Sequence, residues 1–221
     1  MRIATWNVER LKHNPQDIQS ACKELNADII VLTETDERIR LLFSKCISTQ
    51  SLAGITEPVP YKETERRVAI YTDYNCVRQY ETYDARTAVC AELETEYGNL
   101  LVYGTIMGIT GNRSASYLPD VEKQMEDIRK LSEDHSVCVI GDYNCSFADG
   151  YYFTKAGRDL LNRSFQECGI SVLTVGQPEC IDHIAVSARF LRDARYTVEE
   201  WNSDKRLSDH KGIIADIRCS E

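Results

Sequence analysis

The chain has 221 residues, 43% of them hydrophobic and 28% charged, with a formal net charge of -9. That length supports one sizeable core and a single domain over 1–221. The acidic balance argues against a broad basic face gripping long nucleic acid, although a local basic cleft can sit inside an acidic total. No apolar run approaches a membrane span and the first ten residues carry no secretory pattern, so no membrane association is expected.

In chain order, Arg2 to Asn7 is a short apolar strand ending on an amide. Asn14-Pro15 then opens a helix, with Asn as the cap and Pro in the first turn. Ile18, Ala21, Cys22 and Leu25 give that helix one apolar face. Asp28 to Glu34 is a second strand, running from buried aliphatics to an acid. Residues 37 to 66 show no period and are expected to hold a short helix and a surface loop, with Pro58 and Pro60 marking irregular chain. Segments 67–71, 75–81, 87–94 and 99–106 read as strands joined by hairpin turns at Thr72-Asp73 and Tyr97-Gly98-Asn99.

A loop is expected over 104–119, then a helix with the stripe Val121, Met125, Ile128 and Leu131. Val137-Cys138-Val139-Ile140 is a strand buried on both faces, and it runs into Gly141-Asp142-Tyr143-Asn144. Asp142 and Asn144 stand two positions apart and share a face of extended chain. By itself this is either a turn after a core strand or a carboxylate and carboxamide presented at a sheet end. A helix over 156–168 and strands over 170–174, 180–187, 195–199 and 212–217 complete the pattern.

Nine cysteines are scattered with no C-x-x-C pair. An odd number without zinc-site spacing fits reduced thiols in a cytoplasm. Cys145 lies near Asp142, but a nucleophilic role would need a base partner. His13 and His135, beside helix ends, are expected to be exposed. His183 should pack away from the face that carries Asp182.

Taken together, apolar segments repeatedly end on Asn7, Glu34, Asp142, Asn144, Asp182 and Asp209-His210. Each alone has a plain explanation as a cap, a turn or a solvated acid. Their repetition at strand ends is how α/β layers build a site. Such oxygen-rich sets suit Mg²⁺ or Mn²⁺ better than zinc.

Thr5-Trp6-Asn7, Val31-Leu32-Thr33-Glu34, Ile140-Gly141-Asp142-Tyr143-Asn144, Ile181-Asp182-His183-Ile184 and Leu207-Ser208-Asp209-His210 occur in this order across nearly the whole chain. In these motifs the chain resembles the endonuclease/exonuclease/phosphatase superfamily. That group of metal-dependent phosphoesterases includes pancreatic-type deoxyribonuclease, exonuclease-III-type abasic-site endonucleases and inositol-phosphate phosphatases. The resemblance implies a four-layer α/β sandwich, two mixed sheets face to face with helices outside. It implies that Glu34, Asn7 and Asp209 hold a divalent metal, that Asp142 acts on the attacking water, and that Asn144 orients water and phosphate. His210 would donate to phosphate with Asp182 holding it, and Tyr103 would contact phosphate or else pack across strands.

The resemblance leaves the substrate open, because loops choose it. The segment Gly176 to Cys180 lacks the aromatic wall of the abasic-site enzymes, and Cys180-Ile181-Asp182-His183 lacks the Trp and Arg of the inositol-phosphate group. Candidate substrate contacts are Arg67, Asn112, Arg113 and Tyr151, the last in an aromatic run followed by Lys155 and Arg158, with Lys205-Arg206 nearby in the last loop. The function expected is a phosphodiesterase on DNA, RNA or a nucleotide-like ester. Its rivals are a phosphomonoesterase on a small soluble metabolite and a catalytically silent binding module. No obligate protein partner is expected.

Overall fold

A computed structural model describes residues 1–56, 60–192 and 194–218, so Pro58 and Cys219 lie outside the described residues. The strands are β1 (Arg2–Asn7), β2 (Ile29–Asp36), β3 (Lys45–Ser48), β4 (Glu65–Thr72), β5 (Asn75–Tyr80), β6 (Ala88–Thr95), β7 (Gly98–Ile106), β8 (Val137–Asp142), β9 (Ile170–Val172), β10 (Asp182–Ser187), β11 (Arg195–Trp201) and β12 (Gly212–Arg218). The helices are α1 (Pro15–Glu24), α2 (Tyr117–Asp134), α3 (Lys155–Glu167) and α4 (Ala188–Leu191). None is long and apolar enough to cross a membrane.

Two mixed six-stranded sheets form, ordered β11-β12-β1-β2-β4-β3 and β5-β6-β7-β8-β10-β9. Alternation gives each strand two faces, and in the central strands both are covered, while the edge strands β5 and β11 stay largely exposed. Ile3, Val31, Val68 and Ile213 of the first sheet meet Val102, Ile140 and Ile184 of the second in a shared core. Ile18 and Cys22 of α1 cover the outer face of the first sheet with Trp6 and Leu32. Val121, Met125 and Ile128 of α2 and Leu161 and Phe165 of α3 cover the second. The expected four-layer α/β sandwich is therefore what forms.

The first helix starts as its residues dictate: the Asn14 side chain accepts from the Gln16 N–H at 3.1 Å, and Pro15 sits in the first turn. Four local expectations fail. Segment 37–66 holds the edge strand β3, with no helix among its described residues. Only Ile47 of β3 is buried, too short a signal to read as alternation. Thr72-Asp73 does not close a hairpin; it carries the chain from one sheet to the other, since β4 and β5 belong to different sheets. The β6–β7 hairpin does form, but Thr95 pairs with Gly98, which leaves Glu96-Tyr97 as the turn.

Gly104, expected to begin a loop, lies inside β7. A Cβ there would sit 2.9 Å from Val68 Cγ1, so glycine marks a close approach of the two sheets rather than a turn. At the other end of the expected loop, Pro119 falls in the first turn of α2, where its missing N–H is harmless.

Candidate active site

The strand directions bring the polar ends to one rim. Strands β1 and β2 run parallel, so Asn7 and the Thr33-Glu34 segment finish together. In the second sheet β8 ends at Asp142 while the antiparallel β10 begins at Asp182, and these two residues are direct cross-strand partners. Strand β12 runs antiparallel to β1, so the loop that precedes it delivers Asp209-His210 to the same rim.

At the centre Asn7, buried at 1% exposure, donates its amide NH₂ to Glu34 Oε1 at 3.2 Å and to Asp142 Oδ2 at 3.1 Å. Its oxygen accepts from the Glu9 N–H at 2.9 Å. Asn7 thus ties the two carboxylates together, and in this orientation its oxygen, expected from the resemblance to hold the metal, is turned away from them and accepts from Glu9 instead. Asp142 also accepts from the Asn144 N–H at 2.8 Å. Gly141 makes this geometry possible: its φ is +136°, and a Cβ would lie 2.0 Å from the Thr105 carbonyl oxygen. Glu34 and Asn144 themselves adopt left-handed φ values of 46° and 50°. Non-glycine residues in that region store strain and cluster at sites where the surroundings hold them.

His210 Nδ1 donates to Asp182 Oδ2 at 2.6 Å. Potential ligand atoms of Asp142, Asp182 and His210 all lie within 4.8 Å of one another. Burial works against charge on His210, but it is outweighed by Asp182, with Asp142 and Asp209 adding to it, and the imidazole is raised to about 10. Burial pushes the Asp142 carboxyl up to about 7; the His210 charge opposes this, while Asp182 and Glu34 reinforce it. The His210 backbone is fixed as well, its carbonyl accepting from Trp6 Nε1 at 3.1 Å and Asn202 Nδ2 at 2.7 Å. Ser208 Oγ donates to the Asn7 carbonyl at 2.6 Å. Trp6, Asn202 and Ser208 were not singled out from the sequence as positioning groups, since nothing local ties Trp6 to a carbonyl 204 residues away.

The Asn144 carboxamide donates to the carbonyls of Met107 at 3.1 Å and Gly108 at 3.2 Å. His183, one residue from Asp182, faces the other way as expected and is fully buried. Its Nε2 donates to the Cys145 carbonyl at 2.9 Å, because a carbonyl can only accept, and its Nδ1 therefore accepts from the Thr174 hydroxyl at 2.8 Å. Burial holds this imidazole down at about 4, so it stays neutral. Cys145 is no nucleophile by this geometry: the thiol is buried, and that burial pushes it up to about 11.

Four sequence expectations are corrected here. Tyr103 is fully buried under α2, its hydroxyl donating to Asp127 at 3.2 Å. It pairs with Val139, three residues short of Asp142, and its alternation faces the helix layer rather than the rim. Asn112 is buried at 3% and donates to the Asn144 carbonyl at 2.8 Å, so it supports the Asn144 turn instead of lining the cleft. Arg113 is exposed on the 107–116 loop and lines neither cleft described below. His135 is also half-buried rather than exposed, packed edge-on against Tyr80.

Two clefts open at the rim and share Asn144, Tyr152 and His210. One, about 350 Å³, is lined by Glu34 and Asp142 together with Arg10, Tyr61 and Arg67. The other, about 380 Å³, is lined by Tyr151, Lys205, Asp182 and Asp209. Lys205 Nζ donates to Tyr151 Oη at 3.0 Å and lies 4.8 Å from its ring centroid. Arg10 and Tyr61 carry no sequence signal as cleft residues, whereas Tyr152 belongs to the aromatic run that the sequence singles out. Arg10 arrives through Glu9, Arg10 and Leu11, with φ values of 51°, 55° and 53°. A left-handed turn of three L-residues costs roughly 1–2 kcal/mol per residue and has no sequence signature.

The donor set fits a hard divalent cation: the Glu34 and Asp209 carboxylates are oxygen donors at the rim, and Asp182 Oδ1 is buried without a hydrogen-bond partner among the described residues. The nearby thiol and the neutral His183 are already committed to packing.

The model of the Endonuclease/Exonuclease/phosphatase family matches residues 4–210. Among solved structures, the chain is similar to an endonuclease/exonuclease/phosphatase from Beutenbergia cavernae, with 14% identity and a TM-score of 0.76 over 100% of this chain and 72% of that one. It is similar to a 3′ phosphatase, NExo, from Neisseria bound to a product DNA hairpin, with 18% identity and a TM-score of 0.73 over 99% and 100% of the two chains. An AP endonuclease from Archaeoglobus fulgidus gives 14% identity and a TM-score of 0.72 over 99% and 100%. Comparison with curated proteins finds no match.

Proposed function

The chain belongs to the endonuclease/exonuclease/phosphatase family, whose members hydrolyse phosphoester bonds, and from that membership we propose a divalent-metal-dependent phosphodiesterase acting on nucleic acid or a nucleotide-like ester. The observation that carries this reading is the convergence of Glu34, Asn7 and Asp142 with the Asp182–His210 pair at one rim. Asp142, whose carboxyl sits near 7, takes the proton of the attacking water. Asn144, fixed by two backbone carbonyls, orients that water and the phosphate. His210, kept cationic by Asp182, donates to a phosphate oxygen and offsets charge developing there. Glu34 and Asp209 would hold Mg²⁺ or Mn²⁺, with Asn7 tying Glu34 to Asp142. A divalent ion bound there supplies positive charge that polarises the phosphate and stabilises the leaving oxygen.

The net charge of -9 favours a second reading, a phosphomonoesterase on a small soluble ester. Plasmid DNA, abasic oligonucleotide, RNA, inositol phosphates and a chromogenic bis-ester, each with Mg²⁺, Mn²⁺ or EDTA, test both. Metal-dependent turnover of a polyanion that weakens steeply with salt supports the first reading, and turnover indifferent to salt supports the second. No cleavage of any substrate with either metal overturns both.

A further inference from the structure

The part of the cleft built by β4 and the turn after β1 has features that hydrolysis at Glu34 and Asp142 does not use. Arg67 is 93% buried, at 7% exposure, yet its Nε has no hydrogen-bond partner among the described residues. Its Nη1 donates to Thr87 Oγ1 at 2.9 Å, and an Nη1–Asp84 carboxylate pair is long at 3.9 Å. A guanidinium carries five donors, and leaving the buried Nε unpaired is unfavourable until an acceptor meets it, which an anion does with the added attraction of charge. Arg67 lies between Arg66 and Val68, the partners of Thr35 and Thr33, and so stands across the sheet from Glu34.

The second feature is independent. The strained left-handed turn Glu9-Arg10-Leu11 turns Arg10 into the same cleft, its guanidinium 4.6 Å from the Tyr61 ring centroid and Arg67's 5.6 Å from it. Arg10 is held by both oxygens of Glu65, at 3.2 and 2.8 Å. That pair is close to neutral, so Arg10 and Tyr61 act as a rigid wall while Arg67 supplies charge.

We propose that Arg67, backed by Tyr61 and Arg10, is a subsite for a second phosphate group of the substrate, next to the phosphoester held at Glu34 and Asp142. The proposal rests on the phosphoester-hydrolase reading above and narrows its substrate class to esters bearing a neighbouring phosphate. That phosphate is either the adjacent link of a nucleic acid strand or the second group of a small bisphosphate. The planar guanidinium suits it because two parallel N–H groups can meet two phosphate oxygens.

The test compares matched substrates in the wild type, Arg67→Lys and Tyr61→Leu. One pair is a dinucleotide with and without a terminal phosphate; the other is a nucleoside bisphosphate against its monophosphate. In the wild type the extra phosphate should raise kcat/KM about 10- to 100-fold, as a charge-assisted contact does. In Arg67→Lys that advantage should shrink to about threefold or less. Benefit confined to the dinucleotide pair identifies a strand as the source, and benefit confined to the bisphosphate identifies a small metabolite. A wild type indifferent to the second phosphate overturns the proposal, and so does an undiminished advantage in Arg67→Lys.

Calorimetric binding of the bisphosphate requires no turnover, so it separates failure of this subsite from failure of the hydrolase reading. Wild-type binding at least tenfold tighter than that of Arg67→Lys supports the subsite even where no ester is cleaved; equal binding overturns it. Tyr61→Leu, at a half-buried position on the cleft wall, carries the same comparison should Arg67→Lys not fold, and an unchanged advantage there overturns the backing role of the ring.

Discussion

His183 makes a sharp prediction because its surroundings fix both its tautomer and its charge. The ring is fully buried between the Thr174 hydroxyl and the Cys145 carbonyl, beside Tyr143 and Phe147. The folded protein keeps it neutral down to about 4, whereas in the unfolded chain it takes a proton near the ordinary value of 6.5. Between those values the unfolded state binds more protons, so stability falls as the pH falls. The contribution is intact above about pH 6.5 and lost progressively toward pH 4. Proton linkage puts the loss at about 1 kcal/mol at pH 5.5 and about 2–3 kcal/mol at pH 4.5. Against a typical stability of about 5–15 kcal/mol that is a large share. Urea unfolding of the wild type and His183→Asn at pH 7.5, 5.5 and 4.5 isolates it, since carboxylate contributions cancel in the difference. The wild type should lose about 2–3 kcal/mol more than the variant between the extremes. Parallel curves for the two proteins would refute the reasoning.

Glu34→Gln keeps shape but removes charge from the proposed metal site, and kcat should fall about 100-fold or more with the urea midpoint unchanged; full turnover in this variant contradicts the assigned role. Tyr103→Phe deletes only the bond to Asp127, so thermal unfolding should show a loss of about 1 kcal/mol while kcat stays put. A 100-fold drop in turnover would instead restore the phosphate-contact expectation. Gly104→Ala forces a Cβ to within 2.9 Å of Val68, and overpacking there should cost about 1–3 kcal/mol in chemical denaturation; a wild-type midpoint would show that the sheets can give way.

The sequence carried the fold a long way because the elements that matter announce themselves locally. Asn14-Pro15 ahead of an apolar-periodic stretch is a helix-start signal, and the run Val137 to Ile140 reads as a doubly buried strand from its composition. Where the pattern was too short or two-valued, it failed. Lys45–Ser48 is an edge strand with one buried residue, and Gly104 has the look of a turn while serving a sheet-to-sheet contact. The turn after β4 carries the same residues whether the chain doubles back or crosses to the other sheet.

For the site, the chain itself determined which side chains end the strands: Asn7, Glu34, Asp142, Asp182 and His210 were all legible as types and positions. Only tertiary structure decided what they face, because facing depends on partners far away in sequence. Asn7 turns its NH₂ to carboxylates 27 and 135 residues distant, and Tyr103 faces Asp127 of α2 instead of the rim. Likewise Arg10 reaches the cleft through a left-handed turn held in place by the surrounding fold, and Asn112 supports the backbone of Asn144. Residue type follows from local chain chemistry, whereas orientation is set by hydrogen bonds and packing that exist only once both sheets have closed on one another.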